Sequence, residues 1–154
     1  MMVISELCKC FYKLKKSSEL EKYAKKGLLI AQENIVSKYF IGLFYSYLGD
    51  SYALAGKYDL AIKYLDLSIK NNPYSKDSYK SICYCLESIH KYRDAIEYAK
   101  RIELIDTKFF QDNKINESIE VLEKQELESN PVSLHLALAL KYLNEKNLKN
   151  KKRN

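Results

Sequence analysis

Apolar residues recur every three or four positions along nearly the whole chain, with lysine, glutamate and serine filling the faces between them. Tyr45, Leu48 and Tyr52 are spaced i, i+3, i+7, and Ile62, Leu65 and Ile69 make a second stripe of the same period. That spacing belongs to amphipathic helices with one buried face, not to strands, whose faces alternate at every second residue. It predicts helices near 2–15, 18–34, 38–55, 58–71, 75–89, 92–104, 105–112, 115–127 and 132–148. Only 4 glycines and 2 prolines occur in 154 residues, so turns are few, which counts against all-β folds and long linkers.

The stripes themselves repeat. LAGKYDLAIKYLDLSIKNNP (54–73) aligns with SIHKYRDAIEYAKRIELID (88–106) at an offset of 34 residues without a gap, pairing Tyr58 with Tyr92, Ala61 with Ala95 and Tyr64 with Tyr98. Gly49 and Ala61 fall where two antiparallel helices would approach most closely, and Cys83 and Ala95 take those places one repeat later. Larger side chains there would hold the backbones apart. Pro73 is expected to end one helix and start the next. The series Tyr45-x2-Leu48-Gly49-x2-Tyr52…Ala61-x3-Leu65…Pro73 resembles one complete tetratricopeptide (TPR) hairpin over 42–75, with Tyr for Trp and Leu for Phe.

Other units diverge. At an offset of 41, Leu7, Cys8, Phe11, Leu20, Ala24 and Gly27 fall on Leu48, Gly49, Tyr52, Ala61, Leu65 and Ser68. The seven extra residues lie in a long second helix. At an offset of 57, residues 112–130 match the second-helix pattern, leaving 102–111 as either one bent helix or two short ones. Pro131 opens a last helix without a following partner, which would cap the stack. The expected architecture is an all-α, TPR-like right-handed α-solenoid of about three and a half hairpins with a C-terminal capping helix. Residues 1–148 are expected to form one domain, and 149–154 a basic, frayed tail.

Charge and cysteine usage narrow the setting. The formal charge of +6 is uneven: residues 1–26 carry net +4, residues 141–154 net +5, and the middle is acidic. Basic ends on an acidic middle, without a compact basic element, do not favour nucleic acid as a partner of this chain alone. No apolar run approaches the roughly 20 residues of a membrane span, so no membrane association is expected. The positive charges near the N-terminus follow its apolar stretch, opposite to a secretory signal, and the four cysteines sit within helical patterns. A cytoplasmic protein with free thiols is expected.

Catalytic chemistry is not legible. There is no glycine-rich phosphate loop, no G-x-S-x-G elbow and no H-E-x-x-H, and His90 and His135 are far apart in sequence. His90 falls in a hairpin turn where the preceding repeat has Gly56, and reads as a surface residue. Cys8/Cys10 and Cys83/Cys85 are C-x-C pairs, whose sulfurs point roughly 200° apart on a helix and make no metal clip. The expectation is a non-enzyme with no cofactor and no metal.

Binding is the remaining class. In stacked hairpins the first helices line the concave surface. That geometry places Tyr47, Asp50 and Leu54 from one hairpin beside Lys80, Tyr84, Glu87 and Ser88 from the next, with Lys9, Tyr12 and Lys13 extending the surface. Tyrosines among mixed charges suit a peptide segment, with rings for side chains and polar tips for amides. The stretch 18–70, with a long second helix followed by Phe40–Tyr52, resembles the TPR domains of Gram-positive RRNPP regulators, whose mark there is F-x-x-x-Y-x-x-L-G-[ND]-x-Y; Phe44 or Tyr45 stands in the aromatic place. Through INESIEVLEK (115–124) it resembles the phage arbitrium receptors among them. The resemblance implies a signalling peptide in the groove, often bound through asparagines that pair with its backbone; Asp50 stands where asparagine is frequent. It also implies an N-terminal effector, which is not expected here because Met1 already opens a hairpin. The TPR clamp for chaperone C-termini needs Lys and Asn where this chain has Ser46 and Asp50. A peptide- or protein-binding regulatory module is therefore the first reading. The alternative is a structural interaction scaffold or self-associating adaptor, with the ends of the stack as a route to homo-oligomers.

Overall fold

The computed structural model describes residues 1–34 and 37–130. They form eight helices: α1 (Met2–Lys13), α2 (Ser17–Glu33), α3 (Lys38–Leu54), α4 (Tyr58–Asn71), α5 (Lys76–Ser88), α6 (Tyr92–Ile105), α7 (Thr107–Asp112) and α8 (Ile115–Ser129). Among the described residues there is no strand. The expected helix at 132–148, with His135 and the basic tail, lies outside the described residues.

Each helix packs on the next, and α1 also touches α3, α3 touches α5, and α6 touches α8. Contacts between consecutive and next-but-one helices are those of an all-α, solenoid-like stack rather than a closed bundle. The first three hairpins turn alike. Lys15, Gly56 and His90 adopt left-handed backbone with φ of 53°, 73° and 60°. Immediately after each, the N–H of Lys16, Lys57 and Lys91 donates to the carbonyl of Phe11, Tyr52 and Leu86, at 2.9 Å in all three. This six-residue closure satisfies a carbonyl that the ending helix leaves open. His90 meets the strain of its left-handed position with a 2.6 Å hydrogen bond between Nδ1 and Tyr92 Oη.

The small residues do the packing expected of them. A Cβ on Gly49 would run into Leu65 Cγ and come within 3.1 Å of the Ala61 carbonyl oxygen. One repeat on, the Cys83 thiol donates to the Ala95 carbonyl at 3.4 Å, so the same helix approach recurs with a slightly larger side chain. The aromatic contact between Tyr45 and Tyr64 (6.3 Å between centroids) returns as Tyr79 on Tyr98 (6.0 Å). Gly27 is also packed shut, its missing side chain replaced by the Phe44 ring. Within the α3–α4 hairpin Ser68 donates to the Gly42 carbonyl at 2.7 Å, and across to α5 it pairs with Ser78 at 2.9 Å; Ser78 also reaches Ser46. These buried hydroxyls satisfy one another, which keeps α3, α4 and α5 in one register.

One detail differs from expectation, and one alternative left open is decided. Pro73 does not start a helix: α4 ends at Asn71, Asn72 is extended, and Pro73 lies in the turn before α5. A proline disfavours helical backbone in the residue before it, so the helix stops short. The stretch 102–111 resolves into two helices broken at Asp106, whose side chain caps α7 by accepting from the Phe109 N–H at 2.9 Å and pairs with Lys76 at 2.6 Å.

Candidate functional site

Residues of the first helices share a register: Asp50 on α3 corresponds to Lys9 on α1 and Tyr84 on α5, and Tyr47 corresponds to Ser81. With α3 touching both α1 and α5, that register brings several candidate residues into one neighbourhood. Asp50 Oδ1 accepts a 2.8 Å hydrogen bond from Ser81 Oγ across the α3–α5 boundary. Asp50 is half-buried, and loss of hydration pushes its carboxyl from 3.8 up to about 7; the Ser81 bond pulls it down, and the Asp77 carboxylate adds to the rise. Tyr12 on α1 is raised by burial and then by Asp50, Asp77 and Tyr84. Tyr47 is pushed up to about 12, by burial first and then by Cys8, Glu6, Asp50 and Tyr39. Tyr12 and Tyr47 thus both feel the Asp50 carboxylate.

Among the described residues, neither Asp50 nor Asp77 has an ion-pair partner. Tyr12, Leu54 and Tyr84 remain 44, 36 and 56% exposed, so this face offers apolar surface to an approaching molecule. Tyr84 is propped edge-on against Tyr58 at 6.1 Å.

The remaining candidates are placed differently. Lys80 Nζ donates to Asn113 Oδ1 at 3.0 Å and lies 6.0 Å from the Phe109 ring, which draws its charge toward α7. Ser88 Oγ donates to the Tyr84 carbonyl and is spent on its own helix. Glu87, Lys9 and Lys13 are exposed. Sequence reasoning missed Asp77 and Ser81. The signal was present, because Ser81 lies 34 residues after Tyr47, and Asp77 one helical turn before Ser81.

Elsewhere, a shallow depression of about 360 Å³ between α4 and α6 is lined by Asp59, Ile62, Lys91, Asp94, Tyr98 and Arg101. With Glu97 its lining carries charges of both signs, acidic groups in excess. Burial pushes the Cys8, Cys83 and Cys85 thiols up to about 12, so they remain protonated packing groups. Among the described residues, no group of three or more His, Cys, Asp or Glu side chains could hold a metal ion. None of the described helices is long and apolar enough to cross a membrane. Compared with known proteins, the chain matches no family model and no curated protein.

Proposed function

We propose that this chain is a non-enzymatic, TPR-like regulatory module that holds a short peptide or an extended partner segment against the face of α1, α3 and α5. The observation that carries the reading is the convergence of Tyr12, Tyr47, Asp50 and Tyr84 from three successive first helices, with Tyr12 and Tyr84 left open to solvent. Rings that present apolar faces and hydroxyl tips suit a segment whose side chains and backbone must both be satisfied. The 34-residue register and its recurring turn geometry support the TPR assignment. Likeness to the RRNPP peptide receptors supports the peptide as ligand class.

A second reading rests on a different surface. Val3, Leu7 and Cys10 form an exposed stripe on α1, whereas their register mates Phe44, Leu48 and Ser51 on α3, and Ser78, Ile82 and Cys85 on α5, are buried. In α3 and α5 the preceding hairpin covers that stripe, so on α1 it suits a further helix and favours a scaffold or a self-associating adaptor.

Thermal melts with mixtures of short peptides, alongside light scattering, separate the two. A peptide groove predicts a rise of about 5 °C at a hundredfold excess over Kd, abolished by Tyr84→Glu. A scaffold predicts association that Leu7→Glu abolishes, with no peptide response. A rise that Tyr84→Glu leaves intact would refute the groove.

A further inference from the structure

Val3, Leu7 and Cys10 on α1, with Leu14 at its end, are spaced by four, three and four residues. On a helix that spacing keeps them within about 60° of one another, a single seam of the kind that two helices share. Val3, Leu7 and Leu14 are 75, 36 and 64% exposed, and Cys10 is exposed as well. The matching residues Phe44, Leu48 and Ser51 on α3, and Ser78, Ile82 and Cys85 on α5, lie buried under the hairpin before them. The α1 seam therefore points out of the end of the described stack. Charge marks one of its edges, where Glu6 and Lys13 are both exposed. Along the other edge Ile4 and Phe11 pack into the core shared by α1, α2 and α3. The contact of Glu6 with Lys9, at 3.9 Å between exposed side chains, holds it only weakly.

We propose that this seam pairs with the same seam of a second copy of the chain, antiparallel about a twofold axis. The alignment sets Val3 against the partner's Leu14 and Leu7 against the partner's Cys10. It also sets Glu6 beside the partner's Lys13, and every contact occurs twice. One register thus covers the apolar residues and matches the charges. A parallel pair would place Glu6 beside the partner's Phe11 and leave both charges unmatched. This rests on the second reading above, of α1 as an interaction surface, and names its occupant. Tyr12 lies about half a turn around α1 from the seam, so pairing leaves the face of α1, α3 and α5 open. Twelve helical residues from each copy make an interface at the small end of the range, below about 1,200 Å². A reversible dimer with micromolar dissociation is expected, not an obligate one.

Sedimentation equilibrium in reductant, from low micromolar to about 0.5 mM, tests the pairing, with circular dichroism to check each fold. Wild type should show a monomer–dimer equilibrium that Leu7→Glu abolishes. Glu6→Lys and Lys13→Glu, both at exposed positions, should each weaken it about three- to tenfold. An equimolar mixture of those two variants should associate at least as tightly as wild type, because each altered charge then meets its opposite across the axis. A wild type that stays monomeric would overturn the pairing and leave the seam to a helix of another protein. A dimer lost in Leu7→Glu, whose charge variants do not rescue one another, would overturn the antiparallel register and leave self-association through α1 standing. A dimer indifferent to Leu7→Glu would remove the second reading and this inference together. Crosslinking gives an independent measure of register. With diamide to take up the two electrons and two protons of each thiol pair, Leu7→Cys should form a covalent dimer through the partner's Cys10. Wild type should not, since antiparallel pairing sets the two Cys10 residues about 4.5 Å apart along the axis as well as across it, beyond disulfide reach. A covalent dimer of wild type through Cys10 alone would refute the antiparallel arrangement.

Discussion

Replacing Asp50 by asparagine should stabilise the free protein, and the gain should depend on pH in a defined direction. Burial and Asp77 hold the folded carboxyl near 7 against an ordinary value of 3.8. Between those values the folded state binds a proton that the unfolded state has released. Folding stability from this group is therefore fully present at the acid end and lost as pH rises through about 7. A gap of roughly three pH units, at 1.36 kcal/mol per unit, sets an upper limit of about 4 kcal/mol on the penalty above pH 8. Relaxation and entry of water lower it, so Asp50→Asn should gain roughly 2–4 kcal/mol at pH 8.5 and well under 1 kcal/mol at pH 4. Tyr12, Tyr47, Asp77 and Cys85 face the carboxylate in both proteins, so their titration largely cancels in the difference. Urea unfolding followed by far-UV circular dichroism, run on both proteins across that range, reads the quantity directly. Stability curves that run parallel from pH 4 to 8.5, or a variant weaker than wild type at high pH, would show that Asp50 is not an uncompensated buried carboxylate.

Gly49→Ala should destabilise by about 1–3 kcal/mol in the same unfolding assay, because overpacking against Leu65 outweighs the helix propensity gained. A stabilised variant would contradict the close helix approach. Tyr52→Phe removes the 2.9 Å hydrogen bond that the phenol donates to Glu21 on α2, and should cost about 1 kcal/mol; no change would mean that water replaces the bond freely. For the thiols, a disulfide reagent at pH 8 should label exposed Cys10 quickly, while buried Cys8 and Cys85 and half-buried Cys83 react on the order of 10³-fold more slowly until the chain unfolds. Four equal rates would contradict the packing.

The stack was legible because a close helix crossing demands a small residue at fixed spacing, and that demand repeats. Gly49 with Ala61 and Cys83 with Ala95 declare it in sequence and meet in space. The turns were legible for a similar reason: Gly56 marks a left-handed residue, and the register carries the mark to Lys15 and His90, which composition alone would not select. Whether the chain breaks or bends near Asp106 stayed open in the sequence. Its side chain caps α7 and pairs with Lys76, a residue thirty positions earlier, so the determinant is tertiary. Reading the first helices by their periodicity put Tyr12, Tyr47, Asp50, Leu54, Lys80, Tyr84, Glu87 and Ser88 forward as one candidate face. It missed Ser81 and Asp77, because their part comes from the pairing of α3 with α5 and not from their own helix. Lys80 shows the limit of such reading, since helix geometry sets its face, whereas Asn113 and Phe109 set where its charge lies.

The central claim is that the face shared by α1, α3 and α5 receives the ligand. Chain labelled with ¹³C in its tyrosine rings, titrated with a library-selected peptide, tests it most directly. The account predicts that the ring signals of Tyr12, Tyr47 and Tyr84 move together while those of Tyr64, Tyr74 and Tyr98 stay in place. Movement of Tyr64 and Tyr98 on the second helices, with Tyr12 and Tyr84 unchanged, would contradict it.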